Sequence, residues 1–77
     1  MKKHQESLQK KIGRLHRVVF RKHRGDGQKL QDFEKVVPGV TDRALTAKNK
    51  SDVNHVNSEI AELATTFEVT REMGLAA

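Results

Sequence analysis

Six cations recur at a spacing that gathers them on one side of a helix. With each residue advancing about 100°, Lys3, Lys10, Arg14, Arg17, Arg21 and Arg24 fall within a sector of about 80°. Lys11 and Lys22 lie on the same segment. The chemistry open to such a stripe is the neutralisation of a polyanion. Arg and Lys at regular intervals can meet successive phosphates, and each neutralised phosphate releases counterions, which makes binding steeply salt-dependent. A face that serves only solubility normally mixes both signs. Here residues 1–24 hold nine Lys and Arg against Glu6 alone.

The remaining reactive side chains support little else. Gly25-Asp26-Gly27 follows no strand, so it does not read as a phosphate-cradling loop. No nucleophile stands beside an obvious base, and a chain of 77 residues is too small to enclose much of a pocket. His4, His16, His23 and His55 have no Cys to join them and no paired acids at ligand spacing, so no metal site is expected. The sequence reads as a non-enzyme that needs no cofactor.

Charge is segregated along the chain. The balance is +8 over residues 1–24 (nine cations, one acid) and −3 over residues 25–77 (six cations, nine acids), giving the net +5. From residue 51 onward, Asp52, Glu59, Glu62, Glu68 and Glu72 face only Arg71. This division fits a nucleic-acid-binding segment on a neutral-to-acidic body. It fits equally two parts of one fold that attract each other, or head-to-tail self-association.

The stripe needs a helix to carry it, and the apolar pattern provides one. Leu8, Ile12, Leu15 and Val19 lie opposite the cations at helical spacing, predicting a first helix over residues 5–24 that ends at Gly25. A second helix is expected from Gln28 to Val36, with Leu30, Phe33 and Val37 inward. Pro38 should end it, because a proline pushes the residue before it out of helical geometry. Thr41 then reads as the N-cap of a third, sparsely apolar helix that fades near Lys48-Asn49-Lys50. Val53, Val56, Ile60, Leu63 and Phe67 alternate by three and four and predict a last helix, capped by Ser51 or Asn54 and breaking near Phe67-Glu68. Val69 falls off that seam. Residues 70–74 read as a final short turn on a frayed tail. The organisation expected is one all-α domain, a small bundle of three or four helices: a basic helix (1–24), a helix-turn-helix-like middle (28–50) and an acidic helix with its tail (51–77).

Residues 33–46, Phe-Glu-Lys-Val-Val-Pro-Gly-Val-Thr-Asp-Arg-Ala-Leu-Thr, describe an apolar helix end, a Pro-Gly turn, a capping Thr and an early Arg. This stretch resembles the helix-turn-helix of HxlR-type winged-helix regulators, although no strand pair follows to form a wing. The resemblance implies a DNA-binding regulator of transcription. Thr41 and Arg43 would then face phosphate and base edges, with Lys48 and Lys50 further along a recognition helix. A second echo of the motif, over residues 62–71, has Glu68 where the turn glycine belongs and reads as core packing.

A core this small is marginal, and with no Cys it has no disulfide to reinforce it. Dimerisation or docking on a partner is therefore expected. No run approaches a membrane span and no apolar leader follows Met1-Lys2-Lys3, so the chain reads as cytoplasmic. Two functions stand side by side. One is a small nucleic-acid-binding protein, a regulator touching phosphates through Lys3, Lys10, Lys11, Arg14, Arg17, Arg21, Lys22 and Arg24, with Thr41, Arg43, Lys48 and Lys50 as a second surface. The other is a helical adaptor or inhibitor that docks the same stripe on an acidic protein.

Overall fold

The computed structural model describes residues 2–75, and the side chains of Lys2 and Lys3 lie outside that description. Three helices follow one another: α1 (Lys2–Lys22), α2 (Gly27–Thr46) and α3 (Lys50–Thr66). No strand occurs among the described residues. The architecture is the expected all-α bundle, in its three-helix form.

α1 buries Leu8, Ile12, Leu15 and Val19, the four residues whose spacing predicted it. It ends at Lys22, and Gly25 takes a positive φ of 90° in the turn that follows. Arg24 therefore lies in the turn rather than in the helix. Arg21 and Lys22 occupy the last turn of α1, where cations suit the negative end of the helix dipole.

α2 departs most from expectation. Asp26 caps it by accepting a bond from the Lys29 N–H at 3.2 Å, and the helix then runs without interruption through Pro38 to Thr46. The turn expected at Pro38-Gly39 does not form, and neither does a helix-turn-helix over residues 33–46. Thr41 is consequently no N-cap: its hydroxyl donates to the Val37 carbonyl at 3.0 Å inside the helix. The reason lies in the apolar face. Phe33, Val37, Val40, Ala44 and Ala47 continue a three-four alternation across the proline, and all are buried. Pro38 lies on the solvent side of that face. It removes one helical hydrogen bond, but breaking the helix there would strip the packing from everything beyond it.

Asn49, not Ser51 or Asn54, caps α3 by accepting from the Asp52 N–H at 2.9 Å; Asp52 in turn accepts from the Lys48 N–H at 3.0 Å. The helix ends where expected, and in a defined way. Glu68 adopts a left-handed φ of 60°. The Val69 N–H bonds the Ala64 carbonyl at 2.8 Å and the Glu68 N–H bonds the Thr65 carbonyl at 3.2 Å, the paired bonds of a Schellman motif. That turn swings Val69 into the core, where it is fully buried. The residues after it are not frayed. Met73 bonds back to Val69, Leu75 bonds back to Thr70, and Met73 packs against the core.

The connections give an up-down-up bundle. Gln5 donates to the Ala47 carbonyl at 3.1 Å, tying the start of α1 to the α2–α3 connector. The His23 imidazole bonds the Phe67 carbonyl at 2.7 Å, tying the end of α1 to the end of α3. Between these ties a chain of rings crosses the interior: His16 on Phe20, both against Phe33, and Phe33 edge-on to Phe67 at 5.2 Å.

Two substitutions test the local strain. Pro38→Ala should restore the missing bond and raise stability by about 1–3 kcal/mol, seen as a higher thermal midpoint. No gain would mean that α2 is interrupted at residue 38 in solution. Glu68→Gly should add about 0.5–1 kcal/mol, because glycine meets a positive φ without the steric cost that glutamate carries. A loss of stability would argue against the left-handed turn.

Candidate nucleic-acid interface

The bundle leaves one side of α1 free. α2 covers the flank of α1 that carries His16 and Phe20, where His16 Nε2 lies 3.3 Å from Glu34 and Phe20 packs towards Phe33. α3 and the C-terminal turn cover the other flank, where Lys11 donates to Asn57 at 3.0 Å and Val18 is half-buried. The stripe lies between the two flanks, with Arg14 at its edge reaching the C-terminal turn. Lys10, Arg14, Arg17, Arg21 and Arg24 are all exposed. From Lys10 to Arg21 the cations span about 16 Å of helix axis. Over that length a DNA duplex carries about nine or ten negative charges.

The cations differ in their partners. Arg14 donates to the backbone carbonyl of Glu72 at 3.2 Å, and the Lys22 ammonium lies 3.5 Å from the Glu72 carboxylate. Lys11 is occupied with Asn57. Lys10, Arg17, Arg21 and Arg24 have no carboxylate partner among the described residues. Arg14, Arg17, Arg21 and Lys22 line an open groove against Val18, and Glu72 closes one side of it. The Lys3 side chain belongs to the expected stripe but lies outside the described residues.

Thr41 and Arg43 of the middle segment do not join this surface. Arg43 reaches from α2 across to α3, where its guanidinium bonds both oxygens of Glu59, one of them at 2.7 Å. Thr41 sits in the cleft between α1 and α2 beside Gln9, Ile12 and Gly13. Lys48 and Lys50 are exposed near the α2–α3 connector. Ala47 in that connector meets Gln5, so these lysines lie at the N-terminal end of α1, about 24 Å along the axis from Arg21 and about 8 Å from the level of Lys10. The second contact surface expected from residues 41–50 is thus split: Thr41 in the cleft between helices, Arg43 held in an ion pair, and two exposed lysines near the N-terminal end of the stripe. The cause is the continuous α2, which never turns a recognition helix outward.

His16 on α1 and His23 in the turn after it serve packing. His16 stacks on Phe20 with ring centroids 4.4 Å apart, and His23 completes the C-terminus of α3 through the Phe67 carbonyl. Sequence reasoning did not find Glu72 or Asn57 as partners of the stripe. The acidity of residues 51–77 was visible, but which acid meets which cation depends on the turn at Glu68.

The chain matches no family model, no curated protein and no solved structure.

The ion pair across α2 and α3 sets a pH dependence. Hydrogen bonds from Arg43 hold the Glu59 carboxyl below the usual carboxylate range, helped by the nearby charges of Arg43 and His55. The same bonds raise the Arg43 guanidinium. Because the folded value of Glu59 is depressed, its stabilisation is complete above the unfolded carboxylate value of about 4.3 and is lost as pH falls through the folded one. Glu59→Gln should therefore be less stable than the parent at pH 7, with the two stability curves converging below about pH 4. Urea denaturation from pH 7 to pH 2.5 measures this, and curves that stay parallel would remove Glu59 from the account.

Proposed function

We propose that this protein binds nucleic acid through the solvent face of α1 and the turn after it, neutralising backbone phosphates with Lys10, Arg17, Arg21 and Arg24 and with Arg14, Lys11 and Lys22 beside them. The observation that carries this reading is that Lys10, Arg17 and Arg21 share one exposed face of α1, with Arg24 in the turn that follows, and have no carboxylate partner among the described residues. An uncompensated row of cations on a rigid helix presents charge at fixed intervals, which suits a polyanion of regular repeat. Arginine adds bidentate hydrogen bonding to phosphate that lysine cannot match. The stripe offers no aromatic platform and no cluster of Asn or Gln at base-reading distance. Recognition then rests on the backbone and is largely indifferent to sequence.

The alternative partner is an acidic protein surface, and one observation favours it. The stripe already accepts a carboxylate of its own chain, Glu72, at Lys22. Affinity for a flexible acidic segment would depend less on the even spacing of the cations than affinity for a phosphate backbone does.

Binding to labelled duplex DNA, single-stranded DNA and structured RNA across a salt series tests the first reading. Four unpaired cations, each contributing about 0.9 to the duplex slope, predict log affinity falling with log salt at a slope of about −3 to −4. Arg17→Gln combined with Arg21→Gln should flatten that slope by about 1.8 and weaken all sequences alike. Absence of binding to any of the three at low salt would reject the proposal and favour the acidic protein partner.

A further inference from the structure

The end of the stripe nearest the C-terminal turn is more than a row of charges. Arg14 and Lys22 stand eight residues apart on α1, about 12 Å along its axis, and both reach towards Glu72. Arg14 meets its backbone carbonyl and Lys22 its carboxylate. Arg17, Arg21 and Val18 complete the walls of the groove. The Glu72 side chain is 38 % exposed and the Lys22 side chain 40 %, and the two charged atoms are 3.5 Å apart. A pair that open to water is weak and readily exchanged for a stronger anion.

The turn that delivers Glu72 is itself well anchored. Val69 is fully buried, Met73 bonds back to Val69 and packs on the core, and Gly74 closes the turn at a φ of 73°. The backbone is thus fixed while the carboxylate at its edge can swing away. A fixed backbone with a displaceable anion is the arrangement of a site that already holds a substitute for its ligand.

Resting on the nucleic-acid reading above, we infer that the groove of Arg14, Arg17, Arg21 and Lys22 is a subsite for one backbone phosphodiester, and that the Glu72 carboxylate is its resident substitute. Binding exchanges one anion for another: the phosphate takes the ammonium of Lys22 and the carboxylate moves into water. Glu72 therefore lowers affinity by occupying a cation that would otherwise count as one more phosphate contact. It also sets a threshold, because a single carboxylate in a weakly charged ligand cannot outcompete one already held in place.

The test compares Glu72→Gln with Glu62→Gln on a fluorescein-labelled random-sequence 20-base-pair DNA duplex and on an RNA stem, from 0.05 to 0.3 M salt. Both substitutions remove the same charge, but Glu62 lies on α3 with no hydrogen bond or ion pair to the stripe. Glutamine at 72 keeps the backbone carbonyl that Arg14 holds. One further released counterion predicts binding about eightfold tighter at 0.1 M salt and a slope steeper by about 0.9, with a smaller gain and no change of slope for Glu62→Gln. Adding Lys22→Gln to Glu72→Gln should return the slope to that of the parent. Equal effects of the two glutamate substitutions, or a gain that survives loss of Lys22, would overturn the subsite while leaving binding by the stripe in place. Failure of the parent and of Glu72→Gln to bind either probe at the lowest salt would overturn both readings together.

Discussion

Phe33 holds the bundle to one arrangement. It is the largest fully buried side chain, and its ring meets α1 through Phe20 and His16 and the end of α3 through Phe67. Edge-on aromatic contacts of this kind fix ring orientation as well as distance. The outward aim of the stripe follows from this contact. α1 has cations on one side and Leu8, Ile12, Leu15 and Val19 on the other, so docking its apolar side against Phe33 leaves the cations no direction but solvent. Large aromatic side chains at the crossing point also compensate for the small size of the core, which contains otherwise only aliphatic residues.

How much of this was legible in the sequence depended on the range of the interaction concerned. The face of α1 was legible because helical period alone decides it, and no partner has to be known. The same holds for α3 up to Phe67. In α2 a local rule and a longer pattern conflict, and the longer pattern prevails. A proline does disfavour helix at the residue before it, and it costs about 3 kcal/mol in a helix interior. Yet Leu30, Phe33, Val37, Val40, Ala44 and Ala47 repeat at three-four spacing straight through Pro38. Burying Val37 and Val40 alone is worth about 3–6 kcal/mol. The alternation was present in the sequence, and comparing those two magnitudes would have favoured one long helix.

Partners across the bundle were not legible, for a different reason. The Arg43–Glu59 pair requires α2 to continue past Pro38, so an error in one helix removed the ion pair as well. Val69 and Glu72 require the left-handed turn at Glu68, and glutamate gives no signal for such a turn as glycine would. Val69 was placed off the seam because periodicity was extended beyond the helix. In the fold, a reversal of the chain brings it back to the same core. The contacts of the candidate site thus depend on one continuous helix and one turn, and neither follows from local propensity.

The charge arithmetic constrains what the stripe can do, whatever the partner. Residues 1–24 carry +8, and the nine acids outside them are shared with six further cations, so the folded chain keeps a net positive excess. The acids outside it are also largely engaged. Asp26 caps α2, Asp52 accepts from the Lys48 N–H before α3, Asp32 accepts from Gln28, Glu34 faces His16 and Glu59 holds Arg43. Glu72 alone among them reaches a stripe cation, and it arrives by a turn that buries Val69 rather than by general attraction. The bundle therefore uses its carboxylates to fix helix ends and helix pairs, and leaves α1 with an excess that repels itself. That repulsion is relieved only by an anion from outside. On the proposed reading, the stability of the free protein and its affinity for a polyanion would be linked, because each docked phosphate would lower the self-repulsion of α1.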